Sequence, residues 1–267
     1  MSDVLPIKPP RHLYKYRSMQ SARDRARVKD ILLKHRLYFP TRLGFNDPFD
    51  CHVPISWDRS TPEEWRQKLL ETYRLTQIPK RWAGNLENYV QYLLDKKHII
   101  AQLHKSGPKA FEAGLNKFQV LCLCKRPDGI LMWSHYASNH EGICLQFRTY
   151  DGSIFSAAVP VEYANDYPIL KATLLRKELA DGMIRTKAKL WKYEKEWRVF
   201  KNNGQTSHYT FPKDCLTGVI LGCQTSAINQ ALISTWLQQR NSPVVLYKAS
   251  KECDKFALRI KRIEKIG

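Results

Sequence analysis

Alternation of apolar and polar residues predicts most of the strands in this chain. The segment Leu13–Arg17 alternates in this way. Such alternation is typical of a strand that buries one of its faces, so we predict a strand here. Between residues 23 and 35, Val28, Ile31 and Leu32 recur at helical spacing, which predicts a helix. Further strands are predicted at 37–41, 119–124, 142–147, 157–163, 196–200, 208–211, 218–221, 244–248 and 257–263.

Between about residues 58 and 117 the period becomes helical. Thr61 and Glu64 form a capping box around Pro62, and helices are predicted just after it, at 86–104 and at 108–117. Later helices are predicted at 172–188 and at 226–239, the second capped by Ser226. The pattern predicts one α+β domain over residues 1–267, with a helical insertion at about 58–117.

Composition adds a strong charge bias. The 267 residues are 43% hydrophobic, which is enough for a substantial core. The 44 Lys and Arg exceed the 25 Asp and Glu, giving a formal net charge of +19. Such an excess favours polyanionic partners, with nucleic acid ahead of an acidic protein, although it also serves solubility.

No stretch approaches the roughly 20 apolar residues that span a bilayer, and the N-terminus lacks the apolar core of a signal peptide. The seven cysteines include no C-x-x-C pair and no zinc-ligand spacing to histidine. Cys122, Cys124 and Cys144 lie in apolar strand-like runs, so we expect buried free thiols. These features predict a cytoplasmic protein with no metal site and no membrane partner.

Two carboxylates, Glu194 and Glu196, stand two residues apart between Trp191 and Trp197. On a strand they would project from the same face and repel each other. One would stabilise a developing positive charge while the other activates a nucleophile. The alternative is a solvated strand face.

The loop at 44–50 contains Asn46 and Asp47 before Pro48. These residues favour a tight turn, which is either purely structural or a rigid polar loop for a ligand amide or ribose.

The segment 132–142 is rich in groups that carry chemistry. Trp133 and Tyr136 would share a helix face, and His135 lies between them. A Cys/His hydrolase that uses His140 and Cys144 is another interpretation, but no orienting third residue is identifiable.

Together these motifs resemble a widespread, largely uncharacterised bacterial family that carries them in this order over nearly its whole length. That family in turn resembles the ADP-ribosyltransferase fold, which implies a mixed, mainly antiparallel β core. The motifs that carry the resemblance are residues 13–17, 38–41, 45–50, 132–137 and 191–198.

The resemblance implies an enzyme that consumes NAD. Arg17 matches an early-strand arginine that contacts the NAD phosphates or ribose, and Thr41 partly matches a central Ser-Thr-Ser strand. Glu194 and Glu196 match a late Glu-x-Glu, in which the second Glu supports departure of nicotinamide. The expected catalytic residues are Glu196, Glu194, His135 and Tyr136, and the expected NAD-binding residues are Tyr14, Tyr16, Arg17, Thr41, Asn46, Asp47 and Trp133.

The expected acceptor is RNA or DNA, recruited by the basic surface. By analogy with bacterial toxins and phage-defence effectors, a neutralising antitoxin protein is an expected partner. Two alternatives stay open. One is a nucleic-acid-binding module without enzymatic activity. The other is a metal-dependent nuclease that uses Asp47, Asp50, Glu194 and Glu196.

Overall fold

The computed structural model describes residues 7–56, 59–74, 78–96, 105, 108–109, 112–174, 176–201 and 206–266. The chain forms two compact units. The first comprises Met1–Thr41, Phe118–Tyr163 and Lys189–Gly267, and the second comprises Arg42–Lys117 and Ala164–Ala188. The predicted insertion at 58–117 falls inside the second unit, which also contains Ala164–Ala188.

Helices and strands alternate irregularly along the chain, as in an α+β protein. The helices are α1 (Ala22–Lys34), α2 (Pro62–Arg74), α3 (Leu86–Asp95), α4 (Ile130–Tyr136), α5 (Arg176–Arg185) and α6 (Ala227–Gln238). The strands are β1 (His12–Arg17), β2 (Arg36–Tyr38), β3 (Ile55–Ser56), β4 (Gln119–Cys124), β5 (Ile143–Arg148), β6 (Val159–Pro160), β7 (Glu162–Ala164), β8 (Leu170–Lys171), β9 (Thr186–Ala188), β10 (Glu196–Lys201), β11 (His208–Thr210), β12 (Leu216–Leu221), β13 (Val244–Lys251) and β14 (Leu258–Ile266).

The first unit is built on an eight-stranded sheet of order β14-β13-β12-β5-β1-β4-β10-β6. Its pairings are antiparallel except for β12 with β13, so the expectation of a mainly antiparallel β core is confirmed. Successive residues of a strand point to opposite faces of the sheet, and here apolar side chains from both faces pack into hydrophobic cores. Leu13 packs into a large core with α1 and α6, whereas Tyr16 faces a smaller one with α4.

Near its middle the sheet is joined by one residue pair. Strand β1 pairs with β5 at six positions, and β4 pairs with β10 at six. Between the described strands β1 and β4, the paired position is Tyr14 with Cys124. The two halves of the sheet therefore separate beyond Tyr14, in the direction of Arg17.

Several predicted helix ends are confirmed by their caps. Ser21 and Asp24 form a capping box at α1, Thr61 and Glu64 form one at α2, and Ser226 accepts from the backbone of Asn229 at α6. Helix α3 ends at Asp95, and residues 97–104 of its predicted span lie outside the described residues. The helix predicted at 172–188 is shorter, because residues 186–188 form β9.

In the second unit, α2 and α3 pack through the apolar stripes that the sequence predicts. Leu69 and Leu70 from α2 meet Tyr89, Val90 and Leu93 from α3. Strands β3 and β8 form a short parallel pair. In the part of the chain that the structure describes, no helix has the length and apolarity needed to cross a membrane.

Candidate functional site

The two carboxylates of the Glu-x-Glu motif are both buried, but they do not lie on one strand. Residues Lys189–Glu194 form a 3₁₀ helix, and β10 begins only at Glu196. Lys195 between them has a left-handed backbone with φ of 46°, which turns the chain. The prediction that Glu194 and Glu196 share one face of a strand is therefore wrong, because Glu194 belongs to the 3₁₀ helix and not to β10.

Glu196 is held by a buried arginine. Arg198 Nε donates to Glu196 Oε1 at 2.8 Å and Arg198 Nη2 donates to Oε2 at 2.9 Å. Arg198 is fully buried and Glu196 is 5% exposed. The Glu196 backbone N–H also donates to the Tyr163 hydroxyl at 2.8 Å. A bidentate, charge-assisted pair of this kind fixes the position of the carboxylate.

Glu194 is linked to α4. The Tyr136 hydroxyl donates to Glu194 Oε1 at 2.6 Å, and Glu194 is 3% exposed. The Cys124 thiol donates to the Glu194 carbonyl oxygen at 2.8 Å. Burial raises the pKa of Cys124 to about 12, so the thiol keeps its proton and remains a donor. These contacts fix Glu194 against the end of β4.

Beside Glu194 lies a group of rings that we call the aromatic patch: His135, Tyr136, Trp191 and Tyr193. The His135 ring centroid lies 6.2 Å from that of Tyr136, 6.5 Å from Trp191 and 6.3 Å from Tyr193. His135 is exposed and the other three rings are half-buried. The patch therefore offers ring surface to a planar group in solvent.

Lys15 lies at the opening between β1 and β4. Its Nζ donates to the Cys122 carbonyl oxygen at 2.7 Å. Burial, with help from nearby Arg17, lowers the pKa of Lys15 to about 8, while Glu196 and Glu194 oppose the shift. The Lys15 ammonium therefore interacts electrostatically with both carboxylates. Tyr14 and Glu196 both pair with Cys124, from opposite sides, so they flank the same position of β4.

Arg17 lies further along the same opening. Its Nε is buried and has no hydrogen-bond partner among the described residues. Burial lowers the pKa of Arg17 to about 10, and nearby Arg27 adds to the effect. A buried donor without an acceptor is costly. The arrangement therefore favours an anionic ligand at this position.

Trp133 and Tyr16 have structural roles. Trp133 is fully buried and its indole N–H donates to the Pro127 carbonyl at 2.8 Å. Tyr16 is 6% exposed and its hydroxyl donates to the Arg126 carbonyl at 2.9 Å. The two rings meet edge to face at 5.2 Å. Neither ring presents a face to solvent where a ligand could stack.

Thr41 is distant from the carboxylates. It forms a β-bridge with Gln119 at the start of β4, whereas Glu196 pairs with Cys124 at its end. Five residues of strand separate these positions, roughly 17 Å. The structure therefore does not bring Thr41 to the Glu194–Glu196 cluster.

Asn46 and Asp47 lie in the second unit. Asp47 Oδ1 accepts from the Phe49 backbone N–H at 2.9 Å, which is the geometry of a structural turn. In the same unit, Asp50 forms a buried ion pair with Lys187 at 3.4 Å. Both aspartates thus have local structural partners.

Two observations concern the residues of the hydrolytic alternatives. Over the described residues, which include Asp47, Asp50, Glu194 and Glu196, no group of three or more His, Cys, Asp or Glu is placed to hold a metal ion. Cys144 is fully buried, and burial raises the pKa of its thiol well above the ordinary value. A thiol in this state is a poor nucleophile.

Sequence reasoning missed Lys15, Arg198 and Tyr163. The first two carried a usable signal. Arg198 stands two residues after Glu196 in a predicted strand, so the two side chains share a face. Lys15 is the one charged residue among the central positions of an otherwise aromatic and aliphatic strand. The contact of Tyr163 depends on tertiary structure.

Comparison with known proteins adds one match. A family model described as "Protein of unknown function (DUF2971)" matches residues 132–199, a range that includes residues 132–136 of α4, the aromatic patch, both carboxylates and Arg198. No curated protein and no solved structure matches the chain.

Proposed function

We propose that this chain is an NAD-dependent ADP-ribosyltransferase that modifies nucleic acid. One observation carries the proposal. Two carboxylates, Glu194 and Glu196, are buried near the Cys124 end of β4, and both act electrostatically on Lys15. Burying like charges is expensive, and a fold keeps such an arrangement mainly where it has a use.

The residues at the opening fit the anionic part of NAD. Arg17 offers a buried N–H without a partner, which suits a phosphate oxygen. Tyr14, half-buried beside the same position of β4 as Glu196, offers a ring edge. NAD supplies an ADP-ribosyl group whose bond to nicotinamide breaks as positive charge builds on the ribose.

Glu196 is the proposed catalytic carboxylate. Its bidentate contact with Arg198 holds it in one position, so no reorganisation is required when charge develops nearby. The Lys15 ammonium lies within electrostatic range of Glu196.

Glu194 is proposed to act on the acceptor. It is joined through the Tyr136 hydroxyl to the aromatic patch, where a nucleobase would stack. Glu194 would then accept the proton that the acceptor loses, with Tyr136 orienting its carboxylate. His135, the exposed member of the patch, would contact the base.

The net charge of +19 supports a nucleic-acid acceptor, since phosphate contacts dominate such binding. An acidic antitoxin would compete for the same basic surface. A binding module without activity accounts for the charge but gives the buried carboxylates only a structural role.

The test uses NAD labelled in its ADP-ribose part, incubated with RNA, DNA or protein. We expect label on nucleic acid, with or without EDTA. Glu194→Gln should lower labelling more than it lowers nicotinamide release, because its role is on the acceptor side. Glu141→Gln, at an exposed position, is the matched control.

If no acceptor supports nicotinamide release, the binding-module alternative replaces this proposal. Nucleic-acid cleavage that EDTA abolishes would favour the nuclease.

A further inference from the structure

We propose that a cavity beneath the β13–β14 loop binds one base of a single-stranded nucleic acid, whose phosphates follow the cations of that hairpin. The cavity lies in the first unit and has a volume of about 510 Å³. Its lining includes Ile130, His140, Cys223, Lys251, Phe256 and Leu258, none of which belongs to the Glu194–Glu196 cluster. A cavity of this size holds a small planar molecule.

An aromatic side chain stands at the mouth of this cavity. Phe256, in the loop that joins β13 to β14, is fully exposed and also lines the cavity. A phenyl ring in water does not gain the free energy that burial of its apolar surface would give. Stacking on a base removes that surface from water and provides this free energy. Phe256 therefore supplies the ring that holds a base at the entrance.

Cations outnumber acidic residues along the hairpin. Residues 244–266 contain seven Lys and Arg against three Asp and Glu. Lys248 and Lys261 are direct cross-strand partners, and like charges in that position repel. No hydrogen bond or ion pair joins Lys248 to an acidic group among the described side chains, and Lys261 interacts electrostatically with Glu252, which Arg259 already binds. Bound phosphates would relieve this repulsion.

The acidic residues near the cavity leave its charge positive. Glu252 is neutralised by Arg259, whose Nε and Nη2 donate to its two oxygens at 2.8 and 2.6 Å. Asp254 remains, against Lys251 and Lys255 in the same lining. Both lysines are exposed, so they can reach phosphates outside the cavity.

A single strand fits these features better than a duplex. Its bases can be splayed out and inserted into a cavity, whereas those of a duplex are stacked and paired. An acidic protein would satisfy the lysines but would not supply a planar ring for Phe256.

The inference rests on the proposed function only for the link between this surface and the acceptor. Binding is measured without NAD, so its failure is distinguishable from loss of transferase activity.

The experiment is fluorescence anisotropy of a short labelled single-stranded oligonucleotide with the full chain. Phe256→Ala should weaken binding roughly 10-fold or more, the scale of one stacked base. Ile228→Ala, an exposed apolar residue at the start of α6, is the matched control and should bind like the parent.

The phosphate contacts are tested separately. Lys251→Gln/Lys255→Gln should reduce the slope of log affinity against log salt by about 1.4, two single-strand contacts. Lys8→Gln/Lys213→Gln removes two exposed lysines outside the hairpin and should leave the slope unchanged. Unchanged affinity in Phe256→Ala, equal slopes for both lysine pairs, or equal competition by an acidic peptide would each overturn the inference.

Discussion

The Arg198–Glu196 pair dominates the site at the scale of single residues. Both side chains are buried, and the guanidinium binds the carboxylate through two hydrogen bonds. Burying such a pair adds little net stability, but breaking it leaves a charge in the interior. The two partners are therefore expected to be strongly coupled.

Glu196→Gln or Arg198→Met alone should lower the free energy of unfolding by about 3 kcal/mol, because each removes the bidentate contact from a charge that stays buried. The double variant should recover most of that loss, because it removes both charges. Urea unfolding of the four proteins measures the coupling. Additive losses would contradict a coupled pair.

Lys15 predicts a pH dependence of stability. Burial lowers its pKa in the folded chain to about 8, below the ordinary value of 10.5. Between these values the unfolded chain binds more protons, so the Lys15 contribution to stability should rise with pH from about 8 to 10.5. Urea unfolding over this range should show a steeper rise for the parent than for Lys15→Met. Parallel curves would remove Lys15 as the cause.

Individual residue types were only partly predictable from the chain. Glu194, Glu196 and Tyr136 are candidates because each lies among other polar and aromatic side chains in the sequence, but the burial of Trp133 and Tyr16 has no such local signal. Both aromatic residues satisfy their polar atoms on backbone carbonyls of residues 126 and 127, a contact that no local pattern encodes.

At the scale of elements, the turn between α4 and β5 is unusually constrained. Ser138, Asn139 and His140 all have left-handed backbones, with φ of 49°, 51° and 71°. Such residues normally occur singly. The turn is closed by the Gly142 N–H, which donates to the Ala137 carbonyl at 2.8 Å.

Gly142→Ala should destabilise this turn by about 2 kcal/mol or more, because a Cβ there would lie 2.2 Å from the Arg17 carbonyl oxygen. Gly114→Ala is the matched control, since a Cβ there meets nothing within 4 Å. Thermal and urea unfolding would measure both. Equal stabilities for the two variants would contradict this prediction and would show that the backbone shifts to accommodate the Cβ at position 142.

Sequence periodicity predicted most elements because strands and capped helices have local signals. Strand β4 and the caps at Thr61 and Ser226 are found where expected. The turn at Lys195 was missed because nothing in its neighbours demands a left-handed residue. That one residue separates Glu194 from the strand of Glu196.

At the scale of the whole molecule, the charge of +19 predicts strongly salt-dependent binding of nucleic acid. Each phosphate contact should contribute roughly −0.9 to the log–log slope for a duplex and −0.7 for a single strand. Titrations over a range of salt concentrations measure the slope, with a neutral polysaccharide as the control ligand. A flat response would show that the charge does not recruit polyanions.

The most direct test of the account is nicotinamide release from NAD by the parent, Glu196→Gln and Glu196→Gln/Arg198→Met. The account predicts release lower by roughly 10²- to 10³-fold in both variants, since the double variant restores stability without restoring the carboxylate. Circular dichroism and urea unfolding would establish that each protein is folded. If the stabilised double variant releases nicotinamide at the parent rate, Glu196 is structural and the central claim is wrong.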